Sequence, residues 1–99
     1  MRPMKRELNP PPIAVAQPES VEVLRVWAVP DGPQQVTLIT KWDDPGVWGL
    51  MLADIARHVA QAYAQGGVDR ARALARIKEL FDAEWSGPTT PIQDLTDGA

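Results

Sequence analysis

The chain has no cysteine. That absence removes disulfides, thiolate metal sites and cysteine nucleophiles together. Histidine occurs once, at His58, and a histidine metal centre needs partners that the chain does not supply. Serine stands only at Ser20 and Ser86, each flanking an expected element as a cap or turn residue does. No GxSxG, P-loop or GxGxxG motif is present. No apolar run approaches the ~20 residues needed to span a bilayer. The start, MRPMKREL, leads into prolines rather than into the apolar core of a signal peptide. A basic surplus is missing too, since 10 Lys and Arg face 13 Asp and Glu for a net charge of −3. Nucleic acid and anionic membrane both require a basic surface, so neither is expected as a partner. The expected location is the cytoplasm.

What the sequence does contain is organised around Lys41 to Leu52, KWDDPGVWGLML. Before it, residues alternate as in a strand, with Val36, Leu38 and Thr40 on one side and Thr37, Ile39 and Lys41 on the other. After it, Trp48, Leu52, Ile55, Val59 and Tyr63 recur at helical spacing. Asp44 is the expected N-cap and Pro45 the first helical residue. A carboxylate there accepts a free backbone N–H at the positive end of the helix dipole, and proline lacks only an N–H that would have no partner.

Upstream, Val21 to Val29 (VEVLRVWAV) has the composition of a strand. Pro30-Asp31-Gly32 is expected to be a three-residue hairpin loop with a bulge, Gly32 taking φ > 0. The second strand is expected from Gln34 to Trp42. This loop sets a register with Val26 opposite Val36 and Leu24 opposite Leu38 on one face. Val23 then meets Ile39 on the other face, beside Trp27. A slip of one residue would scatter the apolar pairs.

Downstream, one helix is expected from Pro45 to Gln65, with a buried stripe of Trp48, Met51, Leu52, Ile55, Val59 and Tyr63, and with Ala56, Ala60 and Ala62 allowing close approach. Gly66-Gly67 should end it, and Asp69 should cap a second helix from Arg70 to Trp85. Its stripe is Leu74, Ile77, Leu80, Phe81 and Trp85. The short link makes the helices antiparallel neighbours. The expected fold class is α+β: a β-β-α-α chain, an antiparallel hairpin packed on an antiparallel helical pair, with flexible tails at both ends. Residues 1–19 are expected to be a disordered Pro-rich leader, residues 20–87 a single domain, and residues 88–99 a loose C-terminal tail.

Candidate chemistry is sparse. His58 follows Asp54 by four residues on the expected wet face of its helix, a surface pair with no serine or cysteine beside it. Two adjacent carboxylates, Asp43 and Asp44, are too few for a metal site. Arg70, Arg72, Arg76 and Lys78 are matched by Asp69, Glu79, Asp82 and Glu84, so the second helix carries no basic footprint. No catalytic, metal or cofactor residue is therefore assigned, and no cofactor is expected. Two surfaces remain. The second sheet face carries Val21, Val23, Trp27 and Ile39, too apolar for open water, with Trp27 as an interface anchor. The junction offers Trp42, Asp43 and Trp48 as walls and polar handle of a small-ligand pocket.

The stretches VEVLRVWAVPDGPQQVTLITKWDDPGVWGLMLADIARHVAQAY and LARIKELFDAEWSGPTT resemble a small family of bacterial, mainly alphaproteobacterial, proteins of about this length and of unknown function. The WDDPxxWG junction and the LFDAEW helix ending carry the resemblance. It implies a stand-alone small cytoplasmic protein and brings no catalytic residue, cofactor or partner. The sequence thus predicts a non-enzymatic, homodimeric interaction or regulatory module, because a domain of roughly 60 residues is marginal alone and so is a two-stranded sheet. The alternative is a small-ligand binder at the junction.

Overall fold

A computed structural model describes residues 6–89. Residues 1–5 of the expected leader and residues 90–99 of the expected C-terminal tail lie outside the described residues. The element order is α1 (Ile13–Ala16), β1 (Leu24–Ala28), β2 (Gln34–Leu38), α2 (Gly46–Gln65) and α3 (Arg70–Ser86). Beyond the short α1, this is the α+β, β-β-α-α chain expected from the periodicities. The chain divides after Ile39 into two compact units, one holding the hairpin and one the helical pair.

In the first unit β1 and β2 pair antiparallel, with Leu24 opposite Leu38, Val26 opposite Val36 and Trp27 opposite Gln35. The Ile39 N–H adds a bond to the Val23 carbonyl at 3.1 Å. This is the register that the loop length and the apolar alternation require. The paired strands are shorter than the strand-like composition, which runs from Val21 to Val29 and on to Trp42. Composition sets an extended preference, whereas a ladder also needs a partner. At the turn, Val29 donates to the Pro33 carbonyl at 3.0 Å, and Pro33 has no N–H to return.

The turn corrects one expectation. Asp31, not Gly32, holds the left-handed backbone, with φ 61°. Gly32 N–H bonds the Val29 carbonyl at 2.8 Å, so Pro30 and Asp31 are the central pair of the turn. Proline first and a left-handed residue second is the type II arrangement. Gly32 serves space instead of angle: a Cβ there would lie 3.0 Å from Val29 Cγ1.

Ahead of the hairpin, Ile13–Ala16 forms a single helical turn. Gln17 N–H reaches the Ile13 carbonyl at 2.9 Å, and Ser20 Oγ donates to the same carbonyl at 3.2 Å. Pro12 stands just before α1, where its missing N–H costs nothing.

In the second unit, Asp44 Oδ1 accepts the Gly46 N–H at 2.8 Å. This is the bond an N-cap makes to the second helical residue, so Asp44 caps α2 although regular helix begins only at Gly46. At the other end, Val68 N–H bonds the Tyr63 carbonyl and Gly67 N–H the Ala64 carbonyl, both at 3.1 Å. That pair is a Schellman motif, and Gly67 supplies its left-handed residue with φ 101°. Asp69 then caps α3 by accepting the Arg72 N–H at 3.0 Å. A link this short between two long, contacting helices makes them antiparallel.

The helical core differs from the expected stripe. Among the described residues only Ala60 is fully buried. Ala56, Ala60 and Ala64 form the most enclosed row of α2, with Ala73, Leu74 and Ile77 half-buried on α3. The larger row, Leu52, Ile55, Val59 and Tyr63, stays between 39% and 57% exposed. Small side chains allow the backbones to approach, so the i, i+4 alanine row takes the contact and the bulky row beside it is left half covered. Leu80, Phe81 and Trp85 are exposed as well, and Phe81 stacks on Trp85 with ring centres 5.6 Å apart. Exposed ion pairs Arg57–Asp54, Arg76–Glu79 and Lys78–Asp82 line the polar faces. Asp54 is held by Arg57, not by His58.

Candidate functional site

Period-two alternation places Val23, Arg25 and Trp27 on one face of β1, with Val21 just ahead of the strand on the same side. Val23, Trp27 and Ile39 are half-buried, and Val21 is exposed. The backbone bond between Ile39 and Val23 brings those two together. Residues 6–11 run beside this strand. Arg6 places its guanidinium carbon 5.8 Å from the centre of the Trp27 ring, within cation–π range. Glu7 Oε2 accepts from Arg25 Nη1 at 3.3 Å. Arg25 Nη2 also donates to Glu22 Oε2 at 3.2 Å. The hydrogen bond that Arg25 donates to Glu22, with the charges of the Glu22 and Glu7 carboxylates, raises the Arg25 pKa above its ordinary value. Arg25 is a cation in this face, as an arginine guanidinium is at any working pH.

Between residues 6–11 and β1 runs an open groove of about 690 Å³, whose walls include Arg6, Glu7, Pro10, Arg25, Trp27 and Val29. Sequence reasoning singled out the apolar members of this face and missed Arg6, Glu7, Glu22 and Arg25. Arg25 was within reach of the alternation argument, because it stands two residues from both Val23 and Trp27. The contacts of Arg6 and Glu7 were not, because they join chain segments eighteen or more residues apart and leave no periodic trace.

The junction candidates lie in the helical unit. Trp42 and Trp48 meet edge to face, with ring centres 6.2 Å apart and planes at 79°. The two rings fill each other's space, so no slot for a ligand ring opens between them in this arrangement. Trp42 remains 39% exposed. Asp43 is exposed beside it, and the capping role belongs to Asp44. Among the described residues, no three His, Asp or Glu side chains gather into a metal-binding group. No described helix is long and apolar enough to cross a membrane.

A family model described as a domain of unknown function, DUF5076, matches residues 7–89. The chain belongs to that family. The DUF5076 match bears out the resemblance to small bacterial proteins of unknown function. It begins at Glu7, so it takes in the residue that clamps Arg25 as well as the WDDPxxWG junction and the LFDAEW ending. A solved structure similar to this DUF5076 chain is named "putative pyruvate dehydrogenase" and comes from the photosynthetic bacterium Rhodopseudomonas palustrus CGA009. The two share 37% identity and a TM-score of 0.69, over 94% of this chain and 95% of the other. No curated protein matches the chain.

Proposed function

We propose that this DUF5076 protein is a non-enzymatic, cytoplasmic interaction or regulatory module that works as a homodimer. The observation that supports it is the shortage of core. Among the described residues Ala60 alone is fully buried, while Leu52, Ile55, Val59, Tyr63, Leu80, Phe81 and Trp85 are all at least 39% exposed. Fully burying one large apolar side chain is worth about 1.5–3 kcal/mol. A row of such residues left half exposed forgoes several kcal/mol, on the scale of the whole stability of a small domain. A second chain is the simplest source of the missing cover, and Val21, Val23, Trp27 and Ile39 are the interface candidates on the hairpin. Light scattering over a concentration series tests this. The expected mass is twice 10.9 kDa, with Trp27→Asp shifting the equilibrium to monomer. A mass of one chain throughout sinks the reading.

A second reading is supported by the exposed Asp43 beside Trp42: a small cationic or aromatic ligand held at the junction after Trp42 swings off Trp48. A thermal-shift screen of metabolites tests it, since a ligand at 100 times its Kd stabilises by about 2.7 kcal/mol. A flat response would remove it. The dehydrogenase name of the Rhodopseudomonas protein finds no named residue here to act on. His58, the one imidazole, is exposed, and its neighbour Asp54 is bonded to Arg57.

A further inference from the structure

Among the described residues both edges of the hairpin lack a further strand, and β1 is the edge strand that carries Arg25 and Trp27. In the β1–β2 ladder, the Ile39-to-Val23 and Val29-to-Pro33 bonds show that the odd-numbered residues of β1 point their backbone groups at β2. By the alternation of an antiparallel ladder, the N–H and C=O groups of Leu24, Val26 and Ala28 point the other way. None of the three has a backbone partner there among the described residues, and the sheet has two strands. The contacts of residues 6–11 with β1 are made by side chains on the face that holds Arg25 and Trp27, and among the described residues no backbone bond joins them to the strand. An open edge of this kind is a template for another strand.

We infer that this edge pairs antiparallel with β1 of a second copy, on a two-fold axis through Val26, to give a continuous four-stranded sheet. The inference rests on the dimer reading above and names its surface and register. A two-fold axis perpendicular to the sheet allows only registers in which a residue meets its own copy. Centring on Arg25 sets two guanidinium groups face to face, which is repulsive. Centring on Leu24 places Glu22 against the partner copy's Val26. Centring on Val26 pairs Val26 with its own copy once, and Leu24 with Ala28 and Arg25 with Trp27 twice each.

The last pair carries the argument. Trp27 already takes a guanidinium, that of Arg6, over its ring, so the ring acts as a cation–π acceptor. Arg25 is held on the same face of its strand by Glu22 and Glu7. A guanidinium can stack on an aromatic face while its edge donors keep their carboxylates. Directly opposed residues at this position form a non-hydrogen-bonded pair, where side chains come closest. Pro30, which has no N–H to give, falls outside the paired span.

The absence of native cysteine makes the test clean. In this register the two Val26 Cα atoms lie ~5.5 Å apart, inside the range a disulfide spans. Full-length Val26→Cys should oxidise to a covalent dimer, while Val36→Cys, across the hairpin from Val26, should not. In the unmodified protein, the amides of Leu24, Val26 and Ala28 should exchange with deuterium roughly tenfold more slowly at a concentration giving dimer than at one giving monomer. A dimer by light scattering, with those amides unprotected and Val26→Cys uncrosslinked, overturns the edge pairing and leaves the dimer reading standing. A monomer at every concentration overturns both.

Discussion

Two tight reversals, at residues 30–32 and 66–69, both use glycine, and for different reasons. Gly67 has open space around its missing Cβ and a φ of 101°. It is glycine because the Schellman ending demands that angle. Gly32 has no left-handed φ, yet a Cβ would press on Val29. It is glycine because the turn leaves no room, while Asp31 takes the left-handed place. The same residue type therefore marks backbone angle in the helical link and side-chain space in the hairpin. Composition reports that a reversal occurs; only atomic placement reports which constraint the glycine meets.

Experiments can press on this contrast, beginning with the contact that the helical link makes possible. Ala60→Glu puts a charge into the one fully enclosed position among the described residues and should cost about 3 kcal/mol or more. In circular dichroism the melting temperature should fall by at least roughly 12 °C. An unchanged melt would mean that α2 and α3 are not held together at Ala60. Next in size is Gly67→Ala, expected to lose about 1–2 kcal/mol because a Cβ is disfavoured at left-handed angles. Gly66→Ala, at φ −91°, should be neutral or better. Equal effects at the two glycines would break the angle explanation.

Asp69→Ala removes the cap of α3 and should cost about 1 kcal/mol, with Asp69→Asn retaining most of it. Denaturant titration of the three proteins gives the comparison directly. In the hairpin turn the signs should oppose. Asp31→Gly should gain a few tenths to about 1 kcal/mol by relieving the left-handed backbone, and Gly32→Ala should lose a similar amount by crowding Val29. If Gly32→Ala were neutral and Asp31→Gly destabilising, the space-versus-angle contrast would be lost. Smallest of all, Lys78→Ala breaks an exposed ion pair with Asp82 and should move stability by under about 0.5 kcal/mol.

Much of the architecture was legible because its causes are local. Asp44 and Asp69 cap helices since each carboxylate needs only a backbone N–H two or three residues away. The hairpin register follows from a three-residue loop plus alternation, and the observed pairs match it. The candidate site was legible only in its apolar half. Val23, Trp27 and Ile39 follow from period two, but nothing in the spacing announces that Arg6 and Glu7 reach Trp27 and Arg25. The bulky row of α2 was misjudged for a related reason. Hydrophobic period shows which face is apolar; it does not decide whether the large or the small residues of that face sit at closest approach.

The sequence by itself determined the β-β-α-α order, the ends of the two long helices, the strand register and, through its lack of cysteine, the exclusion of disulfides, since a cap, a turn or an absent residue type acts over a few residues or over none. Tertiary structure alone decided that Ala60 is the buried point of the helical pair, that Asp31 rather than Gly32 bears the positive φ, and that Arg25 is clamped between Glu7 and Glu22. Each of these depends on which atoms compete for one volume or one charge, and that competition is settled only when distant parts of the chain meet.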